Sequence, residues 1–142
     1  MATIDPGLLP QLPVSFMNAD HAQEARLLND LESALTAQRR GEGSLDPVLE
    51  KLSLLAVHMR GHFLREESMM RQAFFPHYEM HKAEHDRVLS EMDAEARTFR
   101  QRGDGARLAR YLFETLPAWF SSHVRTMDLA TARSPPPQAP PR

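Results

Sequence analysis

Two pairs of side chains restrict this chain most: His62 with Glu66 in HFLREE, and His81 with His85 in HKAEHD, each four residues apart in an amphipathic stretch. On an α-helix, residues i and i+4 project from one face a turn apart, so each pair can present two donors to a common point. His21 stands alone in an early amphipathic stretch, and His123 precedes Asp128 in HVRTMD. Together these five imidazoles and two carboxylates read as the ligand set of one dinuclear metal site, with four helices around it.

The apolar pattern supplies those helices. Residues 1 to 16 carry Pro6, Pro10 and Pro13 and are expected to form an extended arm, with Leu12, Val14 and Phe16 as apolar anchors. From about Met17 the positions Leu27, Leu28, Leu31 and Leu35 recur at helical spacing until GEG ends the run. Ser44, Asp46 and Pro47 open a second helix, and Val48, Leu52, Leu55, Met59, His62, Glu66 and Met69 keep one face to about Phe74. Phe75-Pro76 restarts the chain, and Met80 to Phe99 continue a helical pattern to Gly103. Asp104 opens a fourth helix bearing Leu108, Leu112, Trp119, Phe120, His123 and Met127, and Pro117 is expected to kink or split it. The tail ARSPPPQAPPR is proline-rich and is expected to stay extended or disordered. The predicted fold is all-α: an antiparallel up-and-down four-helix bundle at 17–130, between an arm at 1–16 and a tail at 131–142.

Composition narrows the chemistry. With 142 residues, 42% of them apolar, the chain fits one domain with its own core. A net charge of −2 gives no footprint for nucleic acid, and the 15 arginines are scattered among acids as on solvated helix faces. No run approaches the ~18 apolar residues of a membrane span, and no basic region followed by an apolar core opens the chain, so a cytoplasmic location is expected. The absence of cysteine excludes disulfides, thiolate zinc and iron–sulfur clusters. Any metal must therefore live on imidazole and carboxylate, which suits iron, manganese or zinc.

A single histidine on an apolar face is more often a satisfied core residue than a ligand. Number changes the balance, because five buried imidazoles and two buried carboxylates without metal would each need another partner. Seven ligands exceed one tetrahedral zinc, whereas two metals sharing the carboxylates use all of them. Asp128 is the ligand that periodicity alone does not select, since five residues overshoot a helical turn unless the last turn is locally widened.

The run HF-x-x-EE followed by Met, then Phe75-Pro76, H-K-x-x-H, and W-x-x-x-H-x-x-x-x-D from Trp119 to Asp128, resembles the bacterial hemerythrins closely. MNADHAQEARLLN is similar to the family's first motif, with His21 in the ligand position, and the resemblance covers roughly residues 16 to 129. It implies one iron on His81, His85 and His123 and a second on His21 and His62. Glu66 and Asp128 would bridge them with a solvent-derived oxygen. The second iron, one ligand short, is where the family binds dioxygen reversibly, and Phe63, Trp119, Phe120 and Val124 would wall the pocket against water.

Glu24 departs from the family, which usually places a bulky apolar residue there, one turn after His21. Two readings are open: a solvent-facing acid, or a pocket acid able to ligate iron or deliver protons. His58, one turn before His62, is expected half-exposed rather than orienting a ligand, and His77 is expected exposed. The leading expectation is a di-iron protein that binds dioxygen as carrier, store or sensor, a sensor then needing a protein partner. A di-iron enzyme acting on peroxide or another small oxidant, with Glu24 as its acid, is the second, and an iron-storage module without oxygen chemistry is the third.

Overall fold

A computed structural model describes residues 15–128, with side chains for 17–126. Helix α1 (Ser15–Arg39), α2 (Asp46–Gln72) and α3 (Tyr78–Arg102) are followed by a fourth run made of α4 (Gly105–Arg110), a π segment (Tyr111–Thr115), α5 (Leu116–His123) and a second π segment (Val124–Asp128). The chain forms the all-α up-and-down bundle expected, with no strand among the described residues. The expected arm and proline-rich tail, and the anchors Leu12, Val14 and the Phe16 side chain, lie outside the described part. Helix α1 begins at Ser15, two residues before the expected start.

Local chemistry sets the helix ends. Asp46 and Pro47 occupy the first turn of α2, where a missing N–H costs nothing and negative charge meets unpaired backbone donors. Helix α3 stops at Gly103, whose φ of 64° is the left-handed conformation glycine adopts freely. The Asp104 carboxylate then caps α4 by accepting the Arg107 backbone N–H at 3.0 Å. Gly105 also permits a close approach to α1, since a Cβ there would lie 2.7 Å from Arg39 Cγ.

Pro117 divides the fourth run as expected, but by a change of hydrogen-bond register. Proline lacks an N–H and its ring crowds the carbonyl four residues back. The π segment ending at Thr115 widens the helix just ahead of it, and Pro117 falls in the first turn of α5. The backbone therefore stays helical through to the His123 segment.

The core fills one end of the bundle with Leu31, Leu35, Leu52, Leu55, Met92, Phe99, Leu108 and Leu112, all buried. Each such side chain removed from water contributes roughly 1.5–3 kcal/mol against chain entropy. At the other end polar residues replace leucine. Antiparallel connection brings there the start of α1, the end of α2, the start of α3 and the end of α5. Among the described residues no helix is long and apolar enough to cross a membrane.

Candidate metal centre

Each of the four runs sends histidine into that polar end: His21 from α1, His62 from α2, His81 and His85 from α3, and His123 from α5, all buried, together with Glu66 of α2. They form two groups. His81, His85, His123 and Glu66 place one donor atom each within 4.8 Å of one another, as do His21, His62 and Glu66. In the first group the Nε2 atoms of His81 and His85 lie 3.1 and 3.2 Å from that of His123, and 3.3 and 3.4 Å from Glu66 Oε2. Glu66 Oε1 faces the other way, against His62 Nε2 and 3.9 Å from His21 Nε2. The two oxygens of Glu66 thus serve different groups.

The outer ring nitrogens tell which atoms face inward. His85 Nδ1 donates to Glu67 Oε2 at 3.0 Å, and His62 Nδ1 donates to Asp20 Oδ2 at 2.8 Å, with Arg65 Nε donating to the same oxygen at 3.2 Å. A neutral imidazole that donates from Nδ1 presents its Nε2 lone pair to the centre, the tautomer a cation requires. Inward-facing imidazole nitrogens gathered on a shared carboxylate, with no sulfur, form a donor set that fits iron.

Charge around His62 is concentrated. Burial opposes protonation of its ring, but the carboxylates of Glu24, Asp20 and Glu66 outweigh it and raise the pKa from 6.5 to about 11. Burial likewise opposes ionisation of Asp20, and hydrogen bonds from His62 and Arg65 prevail, lowering it to about 2. A cation entering beside His62 must displace its proton.

Aromatic rings enclose the three-histidine side. Phe63 stacks on His85 with centroids 3.9 Å apart, and Trp119 stacks on His123 at 4.5 Å. The Trp119 indole N–H donates to Glu84 at 2.6 Å. Arg87 first, then that indole against the cost of burial, hold the Glu84 carboxyl down to about 2. On the two-histidine side Phe120 meets His21 edge-on at 5.6 Å, and Val124 is buried.

Glu24 does not face solvent. It is 3% exposed, lies 3.9 Å from His58, and borders a narrow apolar cavity lined by Leu28, Leu55, Met59, Leu116 and Phe120. His58 is half-exposed as expected, and its Nε2 donates to the Asp20 carbonyl at 3.1 Å. It sits behind Asp20, the residue that orients His62. His77 is exposed as expected. Asp128 ends the second π segment by its backbone, and its side chain is outside the described part. Sequence reasoning missed Asp20, Glu67 and Glu84 as partners of the rings. The only signal was proximity in sequence, Asp20 beside His21 and Glu67 beside Glu66.

The comparisons agree with this geometry. The family model described as Hemerythrin HHE cation binding domain matches residues 12–131. A bacteriohemerythrin of Aquifex aeolicus (strain VF5) is 31% identical over 130 residues, covering 92% of this chain and 95% of the relative. A bacteriohemerythrin of Ralstonia nicotianae (strain ATCC BAA-1114 / GMI1000) is 35% identical over 111 residues, covering 78% of this chain and 73% of that protein. No solved structure matches the chain.

Proposed function

The chain belongs to the hemerythrin family, and on that premise we propose that it is a non-haem di-iron protein that binds dioxygen reversibly, as carrier, store or sensor. The observation that supports this most is the division of Glu66 between two histidine groups, Oε1 toward His62 and His21 and Oε2 toward His81 and His85. His81, His85 and His123 would hold one iron and His21 and His62 the other, with Glu66 and Asp128 shared and an oxo or hydroxo bridge between. Such a pair of irons supplies the electrons that dioxygen uptake requires.

The protein's own part is orientation and exclusion. Glu67 and Asp20 fix the ring planes of His85 and His62, so the donors are aimed before a cation arrives. Phe63 packs on His85, Phe120 on His21 and Trp119 on His123, with Val124 buried, which would keep water from the reacting volume. Anaerobic reconstitution with ferrous iron and elemental analysis tests the metal count. Two irons per chain are expected, and one or fewer would reduce the centre to a mononuclear site.

Burial of Glu24 favours a second reading, an enzyme that turns over peroxide or another small oxidant. Glu24 is buried, 3.9 Å from His58 and beside Phe120, whose ring meets His21 edge-on, so it lies near the two-histidine side. A carboxyl held there can deliver a proton to a bound oxidant. Glu24→Leu is expected to slow irreversible oxidation of the iron-loaded protein by roughly tenfold or more, a positioned acid contributing on the order of 10² in rate. Stopped-flow absorbance compares the two proteins, and equal rates would leave only the plain oxygen-binding reading.

A further inference from the structure

We infer that the outer face of α2 is a self-docking surface on which two copies of this chain pair antiparallel across a two-fold axis. Leu54, Val57, Gly61 and Leu64 follow one another at spacings of three, four and three residues, which aligns them along one line of the helix. The three large residues of that line are 53%, 68% and 58% exposed, although the opposite face of the same helix is buried in the core. Isolated exposed leucines are ordinary, but a continuous apolar stripe in the middle of a long helix is the seam by which helices associate. Gly61 leaves the backbone bare at its centre, where an added Cβ would meet nothing nearer than the Arg65 guanidinium at 3.4 Å. That guanidinium, held by Asp20, is what a second helix would pack against there.

The charges say which helix. Toward the start of α2 the stripe is bordered by the exposed acids Asp46 and Glu50, and toward its end by the exposed base Arg71, Arg65 being taken up by Asp20. Laid antiparallel on its own copy, the helix sets Leu54 opposite the partner's Leu64 and Val57 opposite the partner's Gly61. The same register brings Asp46 within one residue of the level of the partner's Arg71, and Glu50 within three, a span its side chain and the guanidinium can bridge. A parallel pairing would set acid against acid and base against base. Arg60 falls beside its own copy near the axis, and the groove between α2 and α3, lined there by Asp86 and Asp93, gives each guanidinium an acidic place to turn. A surface complementary to itself under a two-fold rotation is what an isologous dimer requires.

Sedimentation equilibrium of the full chain, from low micromolar to millimolar concentration, tests the pairing. The mass is expected to rise from the 16.2 kDa of one chain toward twice that value. Val57→Glu and Leu64→Glu, both at exposed positions, are expected to hold it at one chain while leaving the helical circular dichroism and melting temperature unchanged. Glu50→Arg is expected to move the midpoint of association about tenfold higher in concentration, because two symmetry-related ion pairs are lost at once. Adding Arg71→Glu to Glu50→Arg is expected to restore it, since the exchanged charges meet across the axis. A single-chain mass at every concentration overturns the proposal. So does a dimer indifferent to Val57→Glu, or a charge exchange no better than the single variant.

Discussion

Replacing Glu66 with alanine is expected to lower the iron content from two per chain to less than one, the largest loss from any single ligand. His21, His62, His81 and His85 each have Nε2 within 3.9 Å of one or other Glu66 oxygen, and both donor groups include that carboxylate. Its removal strips a ligand from each half and the link between them. The fold should persist, because alanine is the best helix former and imidazoles left without this carboxylate can become neutral rather than stay charged. His77→Ala, at an exposed position, is the matched control and should retain both irons. Elemental analysis on helical, monodisperse protein decides the matter, and two irons in Glu66→Ala would remove this residue from the centre.

Metal removal should have the second largest effect. A metal held by the folded state alone adds its binding free energy to stability, about 4 kcal/mol when it is present at a thousand times its dissociation constant. For a domain of this size that corresponds to a fall in melting temperature on the order of 15 °C. The pH dependence has a definite sign. In the metal-free protein His62 is raised from 6.5 to about 11, so its charged ring stabilises the fold fully below 6.5, and that contribution fades as pH rises toward 11. Asp20 and Glu84 are lowered to about 2 from 3.8 and 4.5, so their contributions are present above those ordinary values and fade as pH falls toward 2. With His62 holding a metal its ring would be neutral, and protons would compete with the metal as pH falls. The gap between loaded and metal-free melting temperatures should therefore widen from pH 6 to pH 9. Calorimetry across that range measures it, and a gap that narrows with rising pH would contradict this account.

Much of the centre was legible because helices repeat. His62 with Glu66 and His81 with His85 announced shared faces, and the leucine spacing together with glycine and proline located the helix ends to within about two residues. The orientation of Glu24 was readable too. Met17, His21, Glu24, Leu28, Leu31 and Leu35 follow at alternating spacings of four and three, so Glu24 lies on the buried seam of α1 itself. Asp20, Glu67 and Glu84 were not legible. Each helix carries several acids, and which of them reaches a ring nitrogen depends on how neighbouring helices are rotated and spaced. The π segments were legible only indirectly, because they shift a hydrogen-bond register without requiring particular residues. Pro117 pointed to the first. The five-residue step from His123 to Asp128 pointed to the second, which matters because a widened turn brings positions five apart nearer to one face.

The visible absorption spectrum of the iron-loaded protein, cycled repeatedly between oxygen and vacuum, tests the central claim most directly. A charge-transfer band that grows under oxygen, disappears under vacuum and returns at the same amplitude is the predicted result. Prompt irreversible oxidation in the first cycle, or a spectrum that does not respond to oxygen, would contradict it.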